Sequence, residues 1–140
     1  MILKFKPELY HSRKDFEGEL VVVLNGKLDD RKLQIEHHYA RALCKYQIHE
    51  MITTDEKDFV LGGEVNRVGY IGFVEVKEGA HVILGDKVYA NDTYIGEIVG
   101  FDDIHMPNHM NIIVYNENRA SGPELGLSVG DKVWIGKDRA

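Results

Sequence analysis

Apolar residues along this chain alternate more often than they recur at helical spacing. Val68, Tyr70, Gly72, Val74 and Val76 alternate with Gly69, Ile71, Phe73 and Glu75. That pattern predicts a strand covered on both faces in its middle and polar on one face at its end. Ile95, Val99 and Phe101 against Tyr94, Gly96, Ile98 and Gly100 predict another strand, and Met110 to Tyr115 a third apolar run. Glu19 to Leu28 reads as a buried strand broken by the turn dipeptide Asn25-Gly26. One segment departs from this period. Ile35, Tyr39, Ala42, Leu43 and Tyr46 fall on one helical stripe, with Asp29-Asp30 as a cap upstream, and predict a helix over about residues 34–47. Leu33-Gln34-Ile35 reads equally as the start of a strand.

A short phrase recurs three times: Leu61-Gly62-Gly63-Glu64-Val65, Leu84-Gly85-Asp86-Lys87-Val88 and Val129-Gly130-Asp131-Lys132-Val133, the first copy led in by Phe59-Val60. Glycine takes positive φ and aspartate bonds nearby backbone, so each copy predicts a turn that launches a strand. Small curved sheets need several such corners. The expected fold class is therefore α+β, mainly β: a curved antiparallel sheet or small partly closed β-barrel with one helix. Residues 1–140 read as a single domain, an N-terminal arm over 1–17 followed by a β-rich core over 18–136.

Composition supports that picture. The chain has 140 residues, of which 44% are hydrophobic and 14 are glycine. A domain of this size buries roughly 68–70% of its unfolded surface and folds without a disulfide framework. Cys44 is the single cysteine. With Lys4, Lys6, Arg13 and Lys14 interleaved by acids, 23 Asp and Glu outweigh 17 Lys and Arg, a formal charge of -6. An acidic chain without a basic face is a poor partner for nucleic acid, whose affinity comes largely from phosphate neutralisation. No apolar run approaches the roughly 18 residues of a membrane span. The first residues carry lysines where a signal peptide needs its apolar core, so a cytoplasmic location is expected, and exposed sheet edges lead us to expect a homo-oligomer.

Candidate chemistry concentrates in Gly100 to Asn111. Met106-Pro107-Asn108 reads as the tip of a hairpin loop between two strands, which sets His105 and His109 facing one another. Residues so paired have Cβ atoms about 4.5–5.5 Å apart. Two readings follow. In the first, Asp102, Asp103, His105, Asn108, His109 and Asn111 line a polar pocket for a small-molecule ligand. In the second, His105, His109 and Asp103, with Asp102 as an alternative carboxylate, hold a divalent transition metal and form the centre of a small metal-dependent enzyme. The same residues also serve simply to hold a loop together, as Asp, Asn and Pro commonly do.

Other candidates are thinner. Glu36, His37 and His38 precede Arg41, Cys44, His49 and Glu50, but His37 and Cys44 lie roughly 10.5 Å apart along a straight helix, too far for one to activate the other. Arg67 suits a ligand carboxylate or a surface ion pair. Tyr70, Tyr89, Tyr94 and Tyr115 suit an aromatic wall, and Trp134 a core or subunit contact.

The phrases Gly69-Tyr70-Ile71-Gly72-Phe73, Gly85-Asp86-Lys87-Val88-Tyr89 and Gly100-Phe101-Asp102-Asp103-Ile104-His105-Met106-Pro107-Asn108-His109 resemble those of a small bacterial family of β-rich proteins of unassigned function. The resemblance covers about residues 18–136 and implies a β fold and a bacterial source. It carries no catalytic residues. The functional expectation is a cytoplasmic small-ligand-binding or auxiliary β module with its site at 102–111.

Overall fold

The computed structural model describes residues 13–58 and 60–137, whose regular secondary structure is almost wholly strand. In chain order these are β1 (Phe16–Val23), β2 (Lys27–Leu28), β3 (Leu33–Gln34), β4 (Ala40–Leu43), β5 (Ile48–Thr54), β6 (Glu64–Val65), β7 (Val68–Glu78), β8 (Ala80–Ile83), β9 (Lys87–Ala90), β10 (Thr93–Asp102), β11 (Asn111–Tyr115) and β12 (Lys132–Gly136). A 3₁₀ turn, Pro123–Leu125, precedes β12. No helix among the described residues is long and apolar enough to cross a membrane. Residues 1–12 of the expected arm, and Phe59 of the first repeated phrase, lie outside the described residues. Residues 16 and 17, placed by the sequence in the arm, already belong to β1.

Eight strands form one large curved sheet in the order β1-β12-β9-β10-β11-β5-β7-β2. The sheet curls until β1 also meets β7, along a seam with two register shifts, and β2 is left over beyond it. The curved-sheet form of the expectation is thus the one found, not a regular closed barrel. Its antiparallel character needs one correction, because β11 and β5 pair in parallel. Two small sheets, β3-β6 and β4-β8, complete the fold.

The expected helix over 34–47 is absent. Leu33 and Ile35 are buried on alternate positions, while Tyr39 and Tyr46 of the supposed stripe are exposed. Leu33 pairs with Val65 and Ala40–Leu43 with Ala80–Ile83. Long-range pairing of this kind outweighs a weak helical preference, particularly in a stretch bounded by positive φ at Lys32 and Tyr46.

The repeated phrase forms the same corner each time. Gly62, Gly85 and Gly130 have φ of 87°, 91° and 97°. The residue after each glycine donates its N–H to the carbonyl three positions back, at 2.9, 3.0 and 3.1 Å. In the second and third copies the aspartate carboxylate also accepts a backbone N–H, from Ile83 to Asp86 and from Ser128 to Asp131. The strands launched are β6, β9 and β12.

Two apolar clusters lie on opposite faces of the central strands. Met51, Ile112 and Val114 join the larger cluster with Phe16, Leu20, Ile98 and Phe101, whereas Ile52 and Ile113 join the smaller with Leu33, Ile35, Val65 and Val68. Strands β5 and β11 are therefore covered on both sides, so the polar residues they carry, His49, Glu50, Thr53, Thr54 and Asn111, are buried.

Candidate functional site

Three buried polar residues, Glu50, Asn111 and Asp102 of β10, lie side by side at one end of these strands. Register sets Asp102 opposite Asn111, Asn111 opposite Glu50, and Glu50 opposite Phe73. Alternation puts Asn111 on the side of Ile113 and Glu50 on the side of Ile52, so this row borders the smaller apolar cluster. Asp102, Asn111 and Glu50 are all buried.

Asp102 organises the row. Its Oδ2 accepts the N–H of Gln34 at 2.7 Å. Its Oδ1 accepts the N–H of Ile104 at 3.0 Å and the Asn111 amide Nδ2 at 3.2 Å. A buried carboxylate needs such donors, because without them its burial costs far more than the fold recovers elsewhere.

The loop after β10 folds back over the row. Its backbone closes through Met106 N–H to Asp103 carbonyl at 3.0 Å and Asn108 N–H to His105 carbonyl at 2.9 Å, with a cis bond before Pro107. His105 and His109 stack with centroids 4.9 Å apart and planes 30° from parallel. His109 also meets the Phe73 ring edge-on at 5.1 Å. The Asn108 side-chain amide lies 2.9 Å from His109 Nδ1 and donates to it, which puts the His109 proton on Nε2. That nitrogen faces Glu50 Oε1 at 3.6 Å, beyond hydrogen-bond length. Arg31 reaches His105 Nε2 at 3.4 Å.

Electrostatics follow from this burial. Desolvation raises the Glu50 carboxyl above its ordinary value and the nearby Asp102 charge adds to that, while Arg31 pulls the other way. Desolvation, then the His105 neighbour, lowers His109. His49, on the other face of β5, is lowered by burial first and then by His109 and Arg41. Among the described residues two buried side-chain atoms lack a hydrogen-bond partner, His109 Nε2 and Asn111 Oδ1. Both belong to this site. Leaving a buried donor or acceptor unpaired costs about 1–3 kcal/mol, so their coincidence singles out this end of the sheet.

The structure sorts the residues singled out by sequence. Asp102 and Asn111 form the floor, His105 and His109 the stacked pair above it, and Asn108 orients His109. Asp103 turns away: both its oxygens are 2.8 Å from Arg41 Nη1. The described residues bring three potential metal-ligating groups within 4.8 Å of one another at Glu36, His38 and Asp103. That group contains neither His105 nor His109. Cys44 sits exposed after β4, its N–H held by Gln47 Oε1 at 3.0 Å. Arg67 pairs with Asp55 at 3.1 Å. The four tyrosines do not form one wall: Tyr89 packs edge-on with Tyr94 and Trp134, Tyr70 packs against the smaller cluster, and Tyr115 lies under Lys57.

Glu50, Arg31 and Phe73 were missed as site residues. The signal for Glu50 was present in the alternation of Ile48, Glu50 and Ile52 against His49 and Met51, which places one carboxylate between two isoleucines on the same face of the strand.

The fold and site together define a mainly β protein with a buried polar row roofed by a histidine loop. The chain belongs to the family of unknown function DUF6917, whose model matches residues 10–136. No curated protein and no solved structure matches it.

Proposed function

We propose that the protein is a binding module for a small polar molecule, received between the His105–His109 pair and the Glu50–Asn111 floor. One observation carries the reading: two buried polar atoms without a hydrogen-bond partner fall together here, His109 Nε2, 3.6 Å from Glu50 Oε1, and Oδ1 of Asn111, the residue opposite Glu50 in the β11–β5 register. Binding sites characteristically combine apolar walls with a few convergent polar groups, and Phe73 with Ile52 and Ile113 supplies the walls. A small polar molecule fits better here than a divalent transition metal on the two histidines. Arg31 lies on His105 and Arg41 on Asp103, so positive charge stands at both candidate ends.

The test is a thermal-shift panel of small polar metabolites with wild type and the double variant His105→Ala, His109→Ala. A ligand at 100 times its Kd stabilises the native state by about 2.7 kcal/mol, which raises the melting temperature measurably. The expected result is stabilisation of wild type by at least one compound, lost in a double variant that still shows a cooperative transition. A panel that leaves wild type unmoved overturns the proposal.

A further inference from the structure

Away from the histidine loop, aromatic rings line up on the other half of the large sheet. Phe16, Val88, Ala90, Ile95, Val133 and Ile135 belong to the larger apolar cluster. Alternation turns their neighbours Glu17, Tyr89, Tyr94 and Trp134 to the opposite face. Register sets Tyr94 opposite Tyr89, Tyr89 opposite Trp134, and Trp134 opposite Glu17. Tyr89 meets Tyr94 and Trp134 edge-on, with ring centroids 5.3 and 5.6 Å away. The smaller apolar cluster covers this face over β5 and β11, but among the described residues it includes none of β1, β9 or β12.

A groove of about 570 Å³ opens on this row, lined by Tyr89 and Trp134. That volume lies within the roughly 300–1,000 Å³ of small-molecule clefts. Gly136 shapes its platform. The glycine is buried, and a Cβ there would lie 2.8 Å from Trp134 Cζ2 and 2.9 Å from Cη2. The indole therefore runs along β12 over bare backbone instead of standing up from the sheet, and its outward side borders the groove. None of the histidine-loop residues lines this space.

The rim is polar and held by two turns. Asn91 and Asp92 form the two-residue β9–β10 connection with φ of 49° and 64°, and the Asn91 N–H donates to the Lys132 carbonyl at 2.8 Å. Asp131, in the third repeated corner, is fixed by accepting the Ser128 N–H at 2.8 Å. Glu17 and Lys132 line the groove from exposed positions. Carboxylates at Glu17, Asp92 and Asp131 and ammonium groups at Lys77 and Lys132 share the rim, so a ligand with a net charge of either sign meets like charge. The electron-rich face of an aromatic ring attracts positively polarised C–H groups. A neutral sugar ring matches both parts, with C–H groups on its faces and hydroxyls around its edge that donate and accept.

We propose that this groove binds a neutral pyranose sugar. Its C–H face stacks on Trp134 and Tyr89, and its hydroxyls bond to Glu17, Asn91 and Lys132.

Trp134 is the chain's one tryptophan, so its fluorescence reports on the groove directly. The full chain is titrated with the methyl glycosides of glucose, galactose and mannose and with maltose, cellobiose and lactose, following Trp134 emission and, in parallel, the heat of binding. Methyl glucuronide serves as an anionic sugar and choline as a cation that aromatic rings also attract. The expected result is saturable binding of at least one neutral sugar, at least about fivefold tighter than methyl glucuronide or choline. Tyr89→Leu removes half of the platform and keeps the reporter, and is expected to weaken that sugar at least about tenfold. Glu17→Ala removes one exposed rim group, with an expected loss of at least about threefold, and decides the matter where Tyr89→Leu does not fold.

No saturable binding of any neutral sugar overturns the proposal. Equal or tighter binding of methyl glucuronide or choline overturns the sugar class. Undiminished sugar binding by folded Tyr89→Leu, or by Glu17→Ala where the first variant does not fold, overturns the assigned groove. Emission that ignores every sugar but changes on dilution, together with a concentration-dependent sedimentation coefficient, gives this face to a second copy of the chain and overturns the proposal too.

Discussion

The backbone N–H of Met110 donates to His49 Nδ1 at 3.0 Å, and the ring's Nε2 faces Gln47 Oε1 at 3.1 Å. The ring is thereby held neutral with its proton on Nε2, and it ties the start of β11 to β5 beneath the histidine loop. Protonation would turn Nδ1 into a donor facing another donor. His49 and His109 both titrate below the ordinary 6.5 in the folded state. The unfolded chain therefore binds more protons between those lowered values and 6.5, and stability rises with pH across that window. The contribution is complete above pH 6.5 and is lost as pH falls through the folded values. Urea unfolding at pH 8, 6.5 and 5.5 is expected to show a falling midpoint, with faster Met110 amide exchange at the acid end. His49→Leu is expected to flatten the slope and cost about 1–3 kcal/mol at pH 8, from the unpaired Met110 N–H. A pH slope in His49→Leu no flatter than that of wild type contradicts this account.

Glu50 has the opposite sign. Its carboxyl titrates above the ordinary 4.5 because burial penalises the charged form. The folded state holds the proton more firmly, so this contribution is complete below pH 4.5 and is lost as pH rises through the folded value. Glu50→Gln removes the loss. The variant is expected to gain stability relative to wild type between pH 4 and pH 8, as measured by denaturant midpoints. A difference that is equal at both pH values would mean that the carboxyl is already ionised without cost.

The adjacent aspartates are expected to differ sharply. Asp102 accepts three hydrogen bonds and is fully buried, whereas Asp103 pairs with Arg41 at a partly exposed position. Asp102→Ala strands three donors and is expected to cost about 3 kcal/mol or more. Asp103→Ala loses a single partly exposed ion pair, about 1 kcal/mol. Equilibrium unfolding of the two variants under the same conditions checks this, and similar losses would show that Asp102 does not organise the row.

Gly96 and Gly130 offer a comparable contrast. Gly96 has φ 157° where the β9-β10 register shifts, and a Cβ there would collide with the Tyr115 carbonyl oxygen. Gly130 has φ 97° with nothing within 4 Å of the added carbon. Gly130→Ala is expected to cost about 1–2 kcal/mol from backbone conformation alone. Gly96→Ala must also displace backbone of β11, so its loss is expected to be clearly larger. Calorimetric melting of both single variants decides the order.

Much of the local structure was legible from residue order. The strand at 68–76, the hairpin carrying His105 and His109, and the corners at Gly62, Gly85 and Gly130 all depend on neighbours within a few positions, where period and turn chemistry act directly. Asp102 and Asn111 could be joined for the same reason, since a hairpin brings them together. The helix expected over 34–47 failed because its stripe was real in spacing but not in burial: Tyr39 and Tyr46 face solvent, while Leu33 and Ile35 alternate into the smaller cluster.

The sequence by itself determined a mainly β chain, the positions of its turns and the loop that carries its histidines, because these follow from backbone preference and short-range pairing. Only the tertiary structure decided what that loop faces. The parallel pairing of β11 with β5 brings Glu50 beside Asn111 across some sixty positions of chain, and the same fold turns Asp103 toward Arg41 rather than toward the histidines. Such contacts arise from which strands share a sheet and which face each buries, so no local period announces them.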